Sequence, residues 1–140
     1  MPIQDLAREA VVHERPDTPV SELAQRMRDE SVGSVVITND QTPVGIVTDR
    51  DLTTRVLAEE TDPNDQTAQD VMSEELCAVD PNAGFYEAAQ VMSENGVRRL
   101  PVCDETDELV GIITADDLTE LLADESQQLA SVIQAQRPSY

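Results

Sequence analysis

Apolar positions along the chain recur with two periods, and both patterns occur twice. Val20, Leu23, Ala24 and Met27 stand at i, i+3, i+4 and i+7, one face of a helix. Phe85, Ala88, Ala89 and Met92 repeat that spacing. Thr18-Pro19 ahead of the first helix reads as an N-cap followed by proline at the first helical position. Short apolar runs at residues 34–38 and 100–103 read as strands. Polar stretches at 39–43 and 104–108 read as turns, and 44–48 and 110–114 as the return strands of two hairpins. Each return strand runs straight into a second helix, at Asp51-Leu52 and at Asp117-Leu118.

The chain thus matches itself, at an offset of 65 residues before the hairpin turns and 66 after them, because the second turn is one residue longer. The segments leading into each unit correspond as well, Asp5-Leu6 with Asp70-Val71. The expected organisation is a first repeat at 3–55, a linker at 56–67, a second repeat at 68–122 and a C-terminal helix and tail at 123–140. A small sheet with two helices buries too little surface to stand alone. The two halves are therefore expected to form one α+β unit, two pseudo-symmetric β-α-β-β-α repeats packed sheet to sheet.

Charge changes the picture next. With 29 acids and 9 bases the formal charge is −20, every base is arginine, and lysine is absent. A basic footprint for nucleic acid is missing, and so is a polybasic patch for an anionic membrane. The acids are spread along the chain rather than gathered in a tail, which reads as a halophilic surface: molar salt shortens the screening length to about 3 Å and quiets the self-repulsion. No run approaches a membrane span, and the first residues carry no signal-peptide pattern, so the expected location is the cytoplasm. Cys77, Cys103 and the single histidine, His13, are too few for a structural zinc site. The two thiols read as ordinary buried groups, and His13 as a surface or ribose-edge residue.

The candidate chemistry lies where the second strand of each hairpin meets its helix. Of the nine positions 44–52 and 110–118, six are identical. They spell Gly-Ile-aliphatic-Thr-x-x-Asp-Leu twice, from Gly45 through Thr48 to Asp51-Leu52 and from Gly111 through Thr114 to Asp117-Leu118. Thr-x-x-Asp entering a helix is first of all a capping box, and the glycine permits close packing. The same residues suit a nucleotide. Free N–H groups at a helix start receive phosphate, and a carboxylate accepts from ribose hydroxyls.

Residues 3–122 resemble a tandem pair of cystathionine β-synthase (CBS) domains, a Bateman module. The resemblance is carried by Asp70-Val71-Met72, by Val97-Arg98-Arg99-Leu100-Pro101-Val102 and by both Gly-x-x-Thr-x-x-Asp motifs. It implies two clefts between the repeats for adenosine compounds: AMP, ADP or ATP, sometimes S-adenosylmethionine or NAD. It also implies energy sensing, regulation of an attached or partner protein, and flat homodimers. Carried over by motif, Thr48 and Asp51 hold ribose and phosphate in one cleft, with Cys77 and Val97 flanking adenine. Arg50, Arg98 and Arg99 reach the phosphates there. In the other cleft Thr114 and Asp117 pair with Val12, Val32 and Gly33, with Ser34 and Asp116 nearby. The cleft of Asp51 is expected to bind phosphorylated ligands better.

A nucleotide-independent homodimerisation scaffold with vestigial clefts is the rival. An enzyme finds no support in a Ser-His-Asp set, a metal cluster or a Walker loop with lysine, and no cofactor is required. The apolar stripe Leu118, Leu121, Leu122, Leu129, Val132 and Ile133 serves either internal packing or a homodimer seam. Phe85 and Tyr86 are assigned to core or interface.

Overall fold

The computed structural model describes residues 2–74 and 78–138. After a 3-10 turn at Ile3–Asp5, the first repeat comprises β1 (His13–Glu14), α1 (Val20–Glu30), β2 (Ser34–Asn39), β3 (Thr42–Thr48) and α2 (Asp49–Asp51). α2 continues as a π-helical turn over Leu52–Leu57. The second repeat follows as α3 (Ala68–Val71), α4 (Phe85–Asn95), β4 (Arg99–Cys103), β5 (Leu109–Thr114) and α5 (Ala115–Gln136). β1 runs parallel to β2, and β2 antiparallel to β3, in one sheet; β4 and β5 form the other. Where β1 pairs His13 with Val36, the second repeat keeps a single parallel bridge from Val79 to Val102.

Several local expectations shift by a few residues. Thr18 does not cap α1: Pro19 holds the cap position with no side-chain bond, and the Thr18 hydroxyl reaches Glu14 Oε2 at 3.4 Å. The first hairpin turns on Asp40 and Gln41 alone, both at positive φ (51° and 70°). Two such residues fit a two-residue hairpin turn that follows the strands' twist, so β3 starts at Thr42 and takes in Pro43. The helix after β3 reaches Leu57, and Val56 is buried in the core.

The halves are stitched by exchanging their lead-ins. Arg8 bridges to Ile112 of β5, and Ser73 bridges to Ile46 of β3, each through a reciprocal pair of backbone hydrogen bonds of 3.0–3.2 Å. Pro2–Gly84 and Pro19–Thr67 are a second exchanged pair. The cores follow suit. Ile3 is wholly buried in the cluster of the second repeat, with Met92, Leu100 and Ile113. Ala68 and Val71 complete that of the first, with Leu23, Ile37 and Val47. Each core is closed by a piece of the other half. On the opposite sheet faces Val36 and Pro101 are also wholly buried, although neither belongs to a helix-backed cluster.

Candidate functional site

The exchanged lead-ins explain the motif glycines. A Cβ on Gly45 would stand 2.5 Å from Met72 Sδ and 3.0 Å from the Ser73 carbonyl. On Gly111 it would stand 3.2 Å from the Arg8 carbonyl and 3.3 Å from Ala7 Cβ. Met72-Ser73 and Ala7-Arg8 are the same positions of the two lead-ins, so glycine is needed where the foreign segment crosses the strand.

Three residues on, each threonine closes a capping box. Thr48 Oγ1 accepts the Asp51 N–H at 3.2 Å while Asp51 Oδ2 accepts the Thr48 N–H at 2.8 Å. Thr114 and Asp117 do the same at 3.1 and 3.0 Å. Each aspartate thus commits one oxygen to the cap and keeps Oδ1 for another partner. Asp51 Oδ1 lies 3.8 Å from Arg55 Nε, and Asp117 Oδ1 lies 3.4 Å from Arg8 Nη2.

The first-turn N–H groups are less available than a bare helix start implies. Asp49 N–H goes to the Gly33 carbonyl at 3.0 Å, Arg50 N–H to Asp49 Oδ1 at 2.8 Å, and Asp51 N–H to Thr48. The expectation that free backbone donors receive phosphate at α2 is therefore corrected: donors for an anion must be side chains. In the second repeat Ala115 replaces Asp49, and no carboxylate stands there to take the Asp116 N–H.

Two clefts flank these boxes. The first, about 440 Å³, brings together Thr48, Arg50, Asp51, Val97, Arg98 and Arg99, with Ile46 and Ser73. Four arginines (Arg50, Arg55, Arg98, Arg99) face two carboxylates (Asp49, Asp51), an excess of two positive charges. Arg98 precedes β4, so the strict alternation of a strand does not separate it from Arg99. The Arg98 guanidinium is nonetheless 3.4 Å from Asp116 and largely exposed, so it shares its charge with the rim of the other cleft. Cys77 lies outside the described residues.

The second cleft, about 290 Å³, is lined by Val12, Val32, Gly33, Ser34, Thr114 and Asp116. Small-molecule sites run from roughly 300 to 1,000 Å³, so the first cleft falls inside that range and the second at its lower edge. Two arginines here, Arg8 and Arg99, balance Glu30 and Asp116. Asp117, expected here, is not among the lining residues: its side chain, 10% exposed, lies behind Arg8. Arg99 was expected in the Asp51 cleft alone; it lines both.

Sequence reading overlooked Arg8 and Arg55. Arg55 was within reach of it, four residues after Asp51 on one helix face. Its Nη1 also donates to the Val71 carbonyl at 3.0 Å, fastening the second lead-in beside the cleft. Arg8 carried no local signal, because only the exchange brings it to Asp117. His13 is at the surface, its Nδ1 3.4 Å from Thr38 Oγ1, in a cavity with Glu9 and Gln41. Burial, with Asp107 and Asp104 close by, holds the Cys103 thiol above the ordinary thiol range. In the apolar stripe Leu118 packs inside, while Leu122, Leu129, Val132 and Ile133 are exposed. Tyr86 is exposed too, and Phe85 packs against the second core.

Two hairpin-and-helix repeats joined by exchanged lead-ins, each with its own Thr–Asp box, define a tandem pair of small α+β domains. The chain belongs to the CBS domain family, whose model matches residues 3–58 and 68–124. It is 35% identical over 120 residues to an uncharacterised protein of Methanopyrus kandleri; the match covers 85% of this chain and 61% of that protein. It is 40% identical over 100 residues to hypoxic response protein 1 of Mycobacterium tuberculosis, covering 71% of this chain and 69% of that protein. A crystal structure of hypoxic response protein I with two coordinated zinc ions superposes with a TM-score of 0.76 at 34% identity. That alignment covers 86% of this chain and 98% of the other. A CBS domain pair solved with 5′-methylthioadenosine and S-adenosyl-L-methionine shares the fold, with a TM-score of 0.81 at 20% identity over 89% of this chain and 98% of that one. Among the described residues of this chain no group of three or more His, Cys, Asp or Glu is placed to hold a metal ion. No helix among them is long and apolar enough to cross a membrane.

Proposed function

We propose that this protein is a regulatory module that binds an adenosine nucleotide (AMP, ADP or ATP) between its repeats and signals adenylate state to a partner protein. The cleft of Asp51 carries the reading. Asp51 Oδ1 is left over from the cap to accept ribose hydroxyls, Ile46 and Val97 offer an apolar wall for adenine, and the surplus arginines meet the phosphates. Thr48 holds Asp51 in place through the cap and is a positioning residue. The cleft of Asp117 is the weaker site. The charge of its lining is balanced, and Arg8 sits closer on the spare oxygen of Asp117, at 3.4 Å, than Arg55 does on that of Asp51, at 3.8 Å.

Two copies at −20 each repel over most of their surface. The exception is residues 126–136 of α5, which carry no charge and expose Leu129, Val132 and Ile133. Their glutamines both donate and accept, so they can face their own copies across a two-fold axis, as carboxylates cannot. We assign this stretch to a homodimer contact, and the acidic remainder to working at high salt. Light scattering should give a dimer that Ile133→Glu converts to a monomer; a monomeric starting protein overturns the assignment.

Calorimetry of the chain in molar KCl against AMP, ADP, ATP, S-adenosylmethionine and NAD tests the main reading. An adenine nucleotide is expected to bind at micromolar to sub-millimolar concentration. Failure of all five at millimolar concentration leaves the nucleotide-independent scaffold.

A further inference from the structure

β4 opens on Arg99, where the first repeat has Ser34 at the start of β2. That substitution removes the symmetry at the boundary between the clefts. Arg99 lines the cleft of Asp51 and the cleft of Asp117 alike. Its Nη2 lies 3.0 Å from the point where a Cβ on Gly33 would stand, and Asp49 Oδ2 lies 3.3 Å from the same point. The absent side chain of Gly33 therefore leaves the gap in which the guanidinium rests.

Of the other arginines next to the two boxes, Arg8 is paired with Asp117, Arg55 with Asp51 and Arg98 with Asp116, while Arg50 lines the cleft of Asp51 and not the other. Arg99 has no carboxylate partner within 4.0 Å among the described residues. A guanidinium presents a planar fork that grips one phosphate bidentately. It cannot give that grip to anions on both sides at once.

We infer that Arg99 is a phosphate ligand shared by the two clefts, so that a nucleotide in one weakens phosphate binding in the other. The inference rests on reading the clefts as nucleotide sites, and it adds a regulatory property to them. The module responds over a wider span of nucleotide concentration than two independent sites would, because filling the cleft of Asp51 draws Arg99 away from the cleft of Asp117. By linkage the effect runs equally in the other direction. Plain repulsion between two bound phosphates would also oppose double occupancy, but it would not depend on Arg99.

Calorimetry of the full chain with AMP separates these cases. The affinity of the Asp117 cleft is read as the second step of the unmodified protein, and again in Asp51→Ala, whose first cleft is weakened about a hundredfold and stays empty while the other fills. Arg50→Glu serves as a second way to empty that cleft should Asp51→Ala fold poorly. The Asp117 cleft should bind AMP about tenfold more tightly when its neighbour is empty, the usual scale of coupling between sites. With adenosine, which lacks the phosphate, the two affinities should agree within about twofold. In Arg99→Ser, which restores the residue of the first repeat, the AMP difference should also shrink to about twofold. Equal AMP affinities with the neighbour full or empty overturn the inference, and so does a difference that survives Arg99→Ser. AMP binding to neither cleft brings down the nucleotide reading itself, an outcome distinct from AMP binding to both clefts independently.

Discussion

The two clefts are built from one plan and differ in what fills it. Both have a glycine crossed by a foreign lead-in, a Thr–Asp capping box, and an arginine on the spare carboxylate oxygen. The plan is paid for by stability, since every part of it also closes a core or caps a helix. The difference lies in a handful of side chains outside that plan. Arg98-Arg99 stand where the first repeat has Gly33-Ser34, and Asp49-Arg50 where the second has Ala115-Asp116. Duplication supplies a scaffold twice; the two clefts part company at the positions outside it.

The comparison breaks most sharply at the carboxylates. Asp51→Ala should cost about a hundredfold in AMP affinity at the stronger site, the loss of a charge-assisted hydrogen-bond set of about 3 kcal/mol. Asp117→Ala should leave the stronger site intact. Equal losses from the two variants, measured by calorimetry, would remove the asymmetry. Because either change also strips a helix cap, both should lower stability by about 1 kcal/mol. Asp51→Asn keeps an acceptor oxygen for the cap and separates the two effects.

The next effect concerns the glycines. Gly45→Ala forces its Cβ against the Ser73 backbone and should destabilise by about 2 kcal/mol, whereas the roomier surroundings of Gly111 hold the cost of Gly111→Ala below about 1 kcal/mol. Denaturant midpoints at unchanged slope read this directly. A smaller shift is expected from salt. Raising KCl from low to molar concentration should raise Tm, because screening relieves self-repulsion; a falling Tm would contradict the high-salt reading. The smallest effect is chemical. Burial first, and Asp107 and Asp104 after it, raise the Cys103 thiol, so it stays protonated at pH values where a free cysteine has begun to ionise. Site-resolved mass spectrometry should show Cys103 alkylated several-fold more slowly than a cysteine peptide at pH 8.

The sequence by itself determined the repeat, the two hairpins, the helix faces and both capping boxes. These rest on interactions within a few residues, and a 3.6- or 2-residue period records them directly. The resemblance to CBS pairs, carried by those motifs, also implied one candidate cleft for Thr48, Asp51, Arg50, Val97, Arg98 and Arg99. Tertiary structure alone decided which half each lead-in joins. Nothing in residues 2–8 says that Ile3 enters the second core or that Arg8 lies against Asp117, 109 residues away. A short polar segment pairs equally well with either hairpin edge by local rules, and the choice is made by which core it closes. The availability of the first-turn N–H groups was settled the same way, because the Gly33 and Arg98 carbonyls that take two of them arrive from a distant turn. So was the placement of Arg99, whose neighbours in sequence show a strand start but not the boundary between two clefts.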